Sequence, residues 1–334
     1  MSVNSKLRNM RREFKQKGGP AMKNARKKML QKFKDSSLSS QALRYFAKVT
    51  LHNSLPVFEA LIAMSCEAVG GRPEKTTPFG EAIVLISSGA DLHDDVIDQS
   101  FIKGSKQTVL GKFNQSTAIL AGDILLVKGI KQLTDASEFI PKKQAKEILE
   151  LVSDAVIEIC TAEALEIQMH NRLDLTPDEY HEVIRLKAVV PELAMKIGAI
   201  IGNGNSRDVK SLGQFGRTYG INSIIIEEFA DLLDIEELRN RLKNECPPLP
   251  IIYCLQNPEM KTNLVPLLSV DLMDENIHKK IVETVLKSPE SHVLEKVLVS
   301  NVTIEQKQLS KKINEKMRGE LMNLLLCPLN YFEN

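Results

Sequence analysis

Apolar residues return every three or four positions along most of this chain, and the strict alternation of a half-buried strand is scarce. That period belongs to the α-helix, which carries positions i, i+3, i+4 and i+7 to one face. A 334-residue chain patterned this way buries its apolar surface by packing helix on helix, so the expected fold class is all-α. Composition agrees: 43% of residues are hydrophobic, 5% are aromatic and there is no Trp. No apolar run approaches the roughly 18 residues of a membrane span.

Local signals divide this pattern into elements. They predict basic helices over 5–34, broken near Gly18-Gly19-Pro20, and an amphipathic segment over 40–69 with Pro56 inside it. Long helices are expected over 78–98, 115–134, 142–170, 177–202 and 207–238. Thr176-Pro177-Asp178-Glu179 opens the helix at 177 as a cap with Pro in the first turn. "KGSKQT" (103–108) reads as a loop, and "CPPLP" (246–250) stops the chain before three or four shorter helices over 255–330. With no internal repeat or low-complexity linker, the expected organisation is a basic helical arm over 1–40 followed by one helical domain over 41–334.

Charge is unevenly spread. Residues 1–35 hold twelve Lys and Arg against Glu13 and Asp35, which leaves 32 basic and 41 acidic residues for the rest. Such an arm suits docking on anionic lipid, or simple solvation and partner contact. Nucleic acid is a poor fit, because the arm lacks interleaved aromatics and the body is acidic. Five cysteines without a CxxC pair, and no signal peptide, read as free thiols in a reducing cytoplasm.

The densest charge is in "GADLHDDVIDQS" (89–100), with Asp91, Asp94, Asp95 and Asp98. With Asp91 at zero on a helical wheel, the others lie at about 300°, 40° and 340°, one arc of about 100°. No Lys or Arg stands within four residues of any of them. Like charges at this spacing repel, and a bound Mg²⁺ with a phosphate would offset the repulsion. His93 falls on the opposite side of the wheel and reads as a packed or hydrogen-bonded histidine. A second trio, Glu227, Glu228 and Asp231, repeats the spacing of Asp94, Asp95 and Asp98. It reads either as the facing wall of a cleft or as a solvated acidic face. Asp123, inside "AILAGDILL" (118–126), reads as a structural hydrogen-bonding group.

These stretches resemble the trans-isoprenyl (polyprenyl) diphosphate synthases. "SSGADLHDDVIDQS" is similar to the family's first aspartate-rich motif, DDxxD. "AILAGDILL" resembles its LAGD stretch, "YHEVIRLKAVVPELAMKIGAIIG" its Lys-containing helix, and "YGINSIIIEEFAD" its second acidic motif by position. The resemblance covers roughly 45–330. It implies an isoprenoid-synthase-type helical bundle around a central cavity, usually a dimer. It also implies Mg²⁺ held by Asp94, Asp95, Asp98, Glu227, Glu228 and Asp231; Asp91, which the helical wheel adds to the candidate metal ligands, stands where the family usually has an apolar residue. The implied reaction ionises an allylic diphosphate, adds isopentenyl diphosphate to the cation, and loses a proton. His52, Lys103 and Lys187 fall where the family binds diphosphate. Gly89 and Ala90 fall where bulky residues would close the elongation pocket, so products of C20 or longer are expected unless these small residues serve close helix packing.

The departures from the family shape the functional expectation. Its Gly-Lys-Arg-x-Arg-Pro stretch is replaced by Leu51, His52, Asn53, Ser54 and Leu55 before Pro56. Its Arg-Arg-Gly becomes Ile102-Lys103-Gly104, and its Phe-Gln becomes Ser223-Ile224. Two leading aspartates become Glu227 and Glu228, Ala188 replaces a Thr, and a Gly-Lys pair is missing. Each lost charged hydrogen bond is worth about 1.5–3 kcal/mol, so three together weaken the isopentenyl diphosphate site by roughly a thousandfold or more. The leading expectation is a catalytically weak or regulatory subunit, paired with a competent paralogue in a heteromeric synthase. The alternative is an active homodimeric prenyltransferase. A class I terpene cyclase fits poorly, because "INSIIIEE" lacks the expected second motif, and a non-enzymatic helical scaffold is a further class.

Overall fold

The structure, a computed structural model, describes residues 3–30, 37–51, 54–104, 106–269, 274–309 and 313–329. Among these the helices are α1 (Val3–Leu30), α2 (Leu38–Val49), α3 (Val57–Ala68), α4 (Thr77–Ile97), α5 (Val109–Lys112), α6 (Gln115–Ser137), α7 (Lys142–Met169), α8 (Pro177–Lys187), α9 (Val189–Ile201), α10 (Ser206–Leu233), α11 (Ile235–Asn244), α12 (Leu249–Cys254), α13 (Pro258–Leu268), α14 (Glu275–Leu286), α15 (Pro289–Gln308) and α16 (Glu315–Leu329). The strands are β1 (Ile102–Lys103) and β2 (Lys106–Gln107). The fold is all-α, and no described helix is long and apolar enough to cross a membrane.

The chain divides into two compact units. One comprises Met1–Asp154, Val190–Gly216 and Leu309–Asn323; the other comprises Ala155–Val189, Arg217–Gln308 and Leu324–Asn334. In the first unit α4 and α6 make the most extensive helix pairing. Small residues bring them together: a Cβ on Gly89 would lie 2.9 Å from the Gly122 carbonyl oxygen, and one on Gly129 would lie 2.5 Å from Ile86. Gly89 sits at this close helix contact, and Ala90 is half-buried. Leu85, Leu92 and Leu125 join Leu43 and Phe46 of α2 and Met29 of α1 in the core here. In the second unit Val183, Ile184, Ile225, Phe229, Leu249 and Leu294 share a buried cluster.

Several boundaries differ from the sequence expectation. The Gly-Gly-Pro sequence does not break α1, which runs unbroken with Pro20 inside it. Phe14, Gly18, Ala21, Ala25 and Met29 form one buried stripe along α1, and α1 packs on α3 and α4. A Cβ on Gly18 would lie 2.4 Å from the Pro56 carbonyl oxygen, so this glycine admits the start of α3. Tertiary packing outweighs the local cost of a helical Pro. The segment over 40–69 is two helices, α3 starting just beyond Pro56. The segment over 177–202 divides into α8 and α9 because Pro191 has no N–H for the Lys187 carbonyl. The segment over 207–238 also divides: the Asp234 side chain accepts from the N–H groups of Glu236 and Glu237 and opens α11. "KGSKQT" is a hairpin pairing Ile102 with Gln107 and Lys103 with Lys106. α12 begins inside "CPPLP", at Leu249, with Pro250 in its first turn, where no N–H is needed.

Candidate functional site

The first acidic stretch occupies the last turns of α4. The helix closes beyond Asp98 with Gln99 in the left-handed region (φ 53°), and the Ser100 N–H donates to the Asp95 carbonyl at 2.9 Å. This closure turns the chain into the β1–β2 hairpin. The Thr108 hydroxyl donates to the Ser100 carbonyl at 2.7 Å, and the backbone tightens around Gly104 (φ 59°). The hairpin brings Lys103 back over the helix end, its Nζ 2.8 Å from Asp95 Oδ1 and 3.9 Å from Asp94 Oδ2.

The electrostatics follow from this placement. Asp95 is buried, and burial raises its pKa against the opposing Lys103. Asp91 keeps solvent contact. Even so, surrounding protein, then Asp94 and Asp95, push it up to about 6 while Lys103 opposes them. Burial acts to lower Lys103, but Asp95, Asp94 and Asp91 outweigh it and hold the ammonium above its usual range. Among the described residues no three carboxylate, imidazole or thiolate groups close a metal cage by themselves. Asp91, Asp94 and Asp98 offer hard oxygen donors on one helix face. That donor set suits Mg²⁺, which keeps several waters and takes one or two carboxylates with a substrate phosphate.

His93 stands away from this face and holds α4 to α6. Its Nε2 lies 3.2 Å from the Ile119 carbonyl oxygen and 3.4 Å from Asp123 Oδ1. Gly122 makes room for the ring, since a Cβ there would lie 2.4 Å from Nε2. The sequence marked His93 and Asp123 as structural but gave no sign that they pair.

The second acidic stretch lies on α10, in the other unit. Glu227 is exposed, Glu228 buried and Asp231 half-buried. α11 turns at Asp234 and places the buried Arg241 among them. Arg241 Nη1 lies 2.6 Å from Asp231 Oδ2, its Nη2 3.2 Å from Glu228 Oε2, and its Nε 3.1 Å from Glu245 Oε2. Nη2 also donates to the Tyr180 hydroxyl at 2.7 Å, which lies 3.0 Å from Glu228 and 3.1 Å from Glu166. Lys187 Nζ lies 3.1 Å from Glu163 Oε1 and also pairs with Glu166. Burial tends to raise Glu166, but Lys187, Arg241 and hydrogen bonds from Lys187 and Tyr180 hold it below the usual range. One guanidinium shared among several carboxylates leaves charge over. Although Glu227 keeps solvent contact, surrounding protein, then Asp231 and Glu228, push it up to about 7, and burial pushes Asp231 to about 6 despite Arg241.

Sequence reasoning missed Arg241, Tyr180, Glu163 and Glu166. In "IEELRNRLKN" the arginine reads as one more charge on a solvated helix, and nothing local shows that it points inward. His52 lies outside the described residues.

The sequence profile of the polyprenyl synthetase family matches residues 56–285. The chain belongs to this family. It is 34% identical over 179 residues to the short chain isoprenyl diphosphate synthase of Methanothermobacter thermautotrophicus, covering 53% of this chain and 54% of that one. It is 24% identical over 256 residues to heptaprenyl diphosphate synthase component 2 of Bacillus subtilis, covering 74% and 69%. The matches to the first of the curated relatives span about half of their length. The crystal structure of geranylgeranyl pyrophosphate synthetase from Pyrococcus horikoshii superposes with a TM-score of 0.84 at 23% identity, covering 97% of this chain and 99% of that chain. A polyprenyl synthase structure from Caulobacter crescentus is a complex with calcium and isoprenyl diphosphate.

Proposed function

We propose that this member of the polyprenyl synthetase family is a catalytically weak or regulatory subunit of a heteromeric polyprenyl diphosphate synthase. It binds Mg²⁺ and an allylic diphosphate at the first acidic stretch. One observation carries the reading: Lys103 and Lys187, the two lysines retained where the family binds diphosphate, are both held by carboxylates of this chain. A diphosphate must compete with those carboxylates, and the Lys and Arg residues missing from Leu51–Leu55 are not there to help.

Bound Mg²⁺ would supply electrostatic neutralisation of the leaving diphosphate. The chain's own contribution is positional. Asp91, Asp94 and Asp98 present oxygens along one face of α4. Lys103, charged and already at the end of that face, donates to a phosphate oxygen. Gln99 and the hairpin hold Lys103 there, and the His93–Asp123 pair fixes α4 on α6. A partner subunit then supplies the isopentenyl diphosphate site.

A second reading, an active homodimeric prenyltransferase making C20 or longer products, is favoured by the same acidic stretch with Lys103 beside it. Purified chain, Mg²⁺, an allylic diphosphate and isopentenyl diphosphate separate the two. Magnesium-dependent binding of the allylic diphosphate without appreciable condensation supports the subunit. Condensation at ordinary family rates supports the homodimer. If Asp94→Asn leaves binding unchanged, the first stretch is not the site.

A further inference from the structure

We infer that Arg241 is a resident counter-ion of the second acidic cluster, its guanidinium standing where a metal ion would, so that this chain holds divalent cations at the first acidic stretch alone. The inference builds on the proposed function by fixing which acidic stretch takes the metal.

The geometry engages both carboxylate oxygens of Glu228. Its Oε1 lies within hydrogen-bond distance of Tyr180 and Arg241. Its Oε2 accepts from Arg241 at 3.2 Å and from the Leu249 N–H at 2.7 Å, at the start of α12. Both partners of this ion pair are almost wholly buried, Glu228 at 4% and Arg241 at 5% exposure. Arg241 Nη1 also reaches Asp231, and its Nε donates to the Cys246 carbonyl at 3.1 Å and lies 3.1 Å from Glu245 Oε2. A guanidinium does not lose its proton in a protein. A divalent ion on Glu228 would therefore sit against a fixed positive charge or expel it, and breaking a buried ion pair is strongly destabilising. The second stretch offers a metal only Glu227 and the outer oxygen of Asp231.

The two stretches also differ in where their cation comes from. Lys103 reaches Asp95 from a two-residue strand and is half-exposed. Arg241 lies on a helix whose start is fixed by the Asp234 cap and is tied to Tyr180, Cys246 and Glu245 as well. The first is a cation beside an open acidic face; the second is built into the wall.

Mn²⁺ is the probe, counted by electron paramagnetic resonance on the full chain. Asp94→Asn with Asp98→Asn is expected to abolish Mn²⁺ binding, and Glu227→Gln with Asp231→Asn to leave the wild-type stoichiometry unchanged. Mn²⁺ retained by the first variant and lost on adding Glu227→Gln would overturn the inference. Neither variant removes Glu228 or Arg241; because Asp231→Asn takes one ion-pair partner from Arg241, Glu227→Gln alone, which keeps all of them, is also expected to leave the stoichiometry unchanged. Arg241→Gln is expected to gain Mn²⁺ together with a Mn²⁺-dependent rise in Tm absent from the wild type. A folded Arg241→Gln with unchanged stoichiometry and no such rise would also overturn it. If the wild type binds no Mn²⁺, the reading of the first stretch fails. A gain in Arg241→Gln would then still uphold the role of the arginine, and no gain would remove both.

Discussion

Single positions decide whether the acidic face of α4 is held in place. Gly122 is the sharpest case, because a methyl there would collide with the His93 imidazole and lie 3.0 Å from the Gly89 carbonyl oxygen. Gly122→Ala is expected to cost about 1–3 kcal/mol, the usual range for overpacking, read as a lower urea midpoint with an unchanged m-value. Glu59 supplies a pH test far from any metal. It is buried in the first turn of α3, burial raises its pKa to about 8, and its Oε2 has no hydrogen-bond partner among the described residues. Its folded pKa exceeds its unfolded one, so its contribution to stability is intact below about pH 4.5 and is lost as pH rises towards 8. The slope is about 1.4 kcal/mol per pH unit. Glu59→Gln is expected to remove that slope: its stability advantage over the wild type grows from pH 6 to pH 8 in urea titrations. An equal pH response of the two would contradict the assignment. At this scale the sequence displayed the aspartates plainly, since four carboxylates on one helical arc need no tertiary knowledge. It hid their partners, because the ties of His93 to Asp123 and of Arg241 to Glu228 depend on how helices meet.

Two helices carry faces that suggest contacts beyond the chain. On α1 the residues outside the buried stripe include Arg8, Arg12, Lys15, Lys23 and Lys27, all exposed. They form a cationic edge about 29 Å long at 1.5 Å per residue. The apolar side of α1 is spent in the core, so any lipid binding is electrostatic, at about 1 kcal/mol per basic residue near an anionic surface. Substituting Arg12, Lys15 and Lys23 by Gln is expected to cut binding to phosphatidylserine vesicles by roughly a hundredfold, with 0.5 M salt doing the same to the wild type. Salt-insensitive binding would rule this out. Deleting the whole segment is the wrong test, because Phe14, Ala25 and Met29 would leave the core with it. On α6 the exposed residues Leu120, Val127 and Ile130 fall within about 80° of one face. That stripe suits a second family subunit, and Val127→Glu is expected to shift sedimentation towards the monomer. The long helices were readable, while the short α5 and α12, at Val109–Lys112 and Leu249–Cys254, were not. Helix limits failed at Gly18-Gly19-Pro20 and at Asp234, the first overridden by packing and the second a cap concealed inside an acidic run.

For the molecule as a whole, the fold and family were within reach of the sequence because the acidic, LAGD and Lys-containing stretches fall in order along a helical pattern. What separates a working synthase from a binding subunit is finer: which cations remain free to meet a substrate. Lys103 and Lys187 were both visible as candidates, and only their carboxylate partners reveal the competition each faces. The central claim is therefore a separation of binding from turnover. The most direct measurement puts both on one preparation of the purified chain: titration with an allylic diphosphate in the presence and absence of Mg²⁺, and condensation with isopentenyl diphosphate under the same conditions. The predicted result is magnesium-dependent binding, with condensation roughly a thousandfold or more below that of a competent family member until such a partner is added. Condensation by the chain alone at that member's rate would contradict the account.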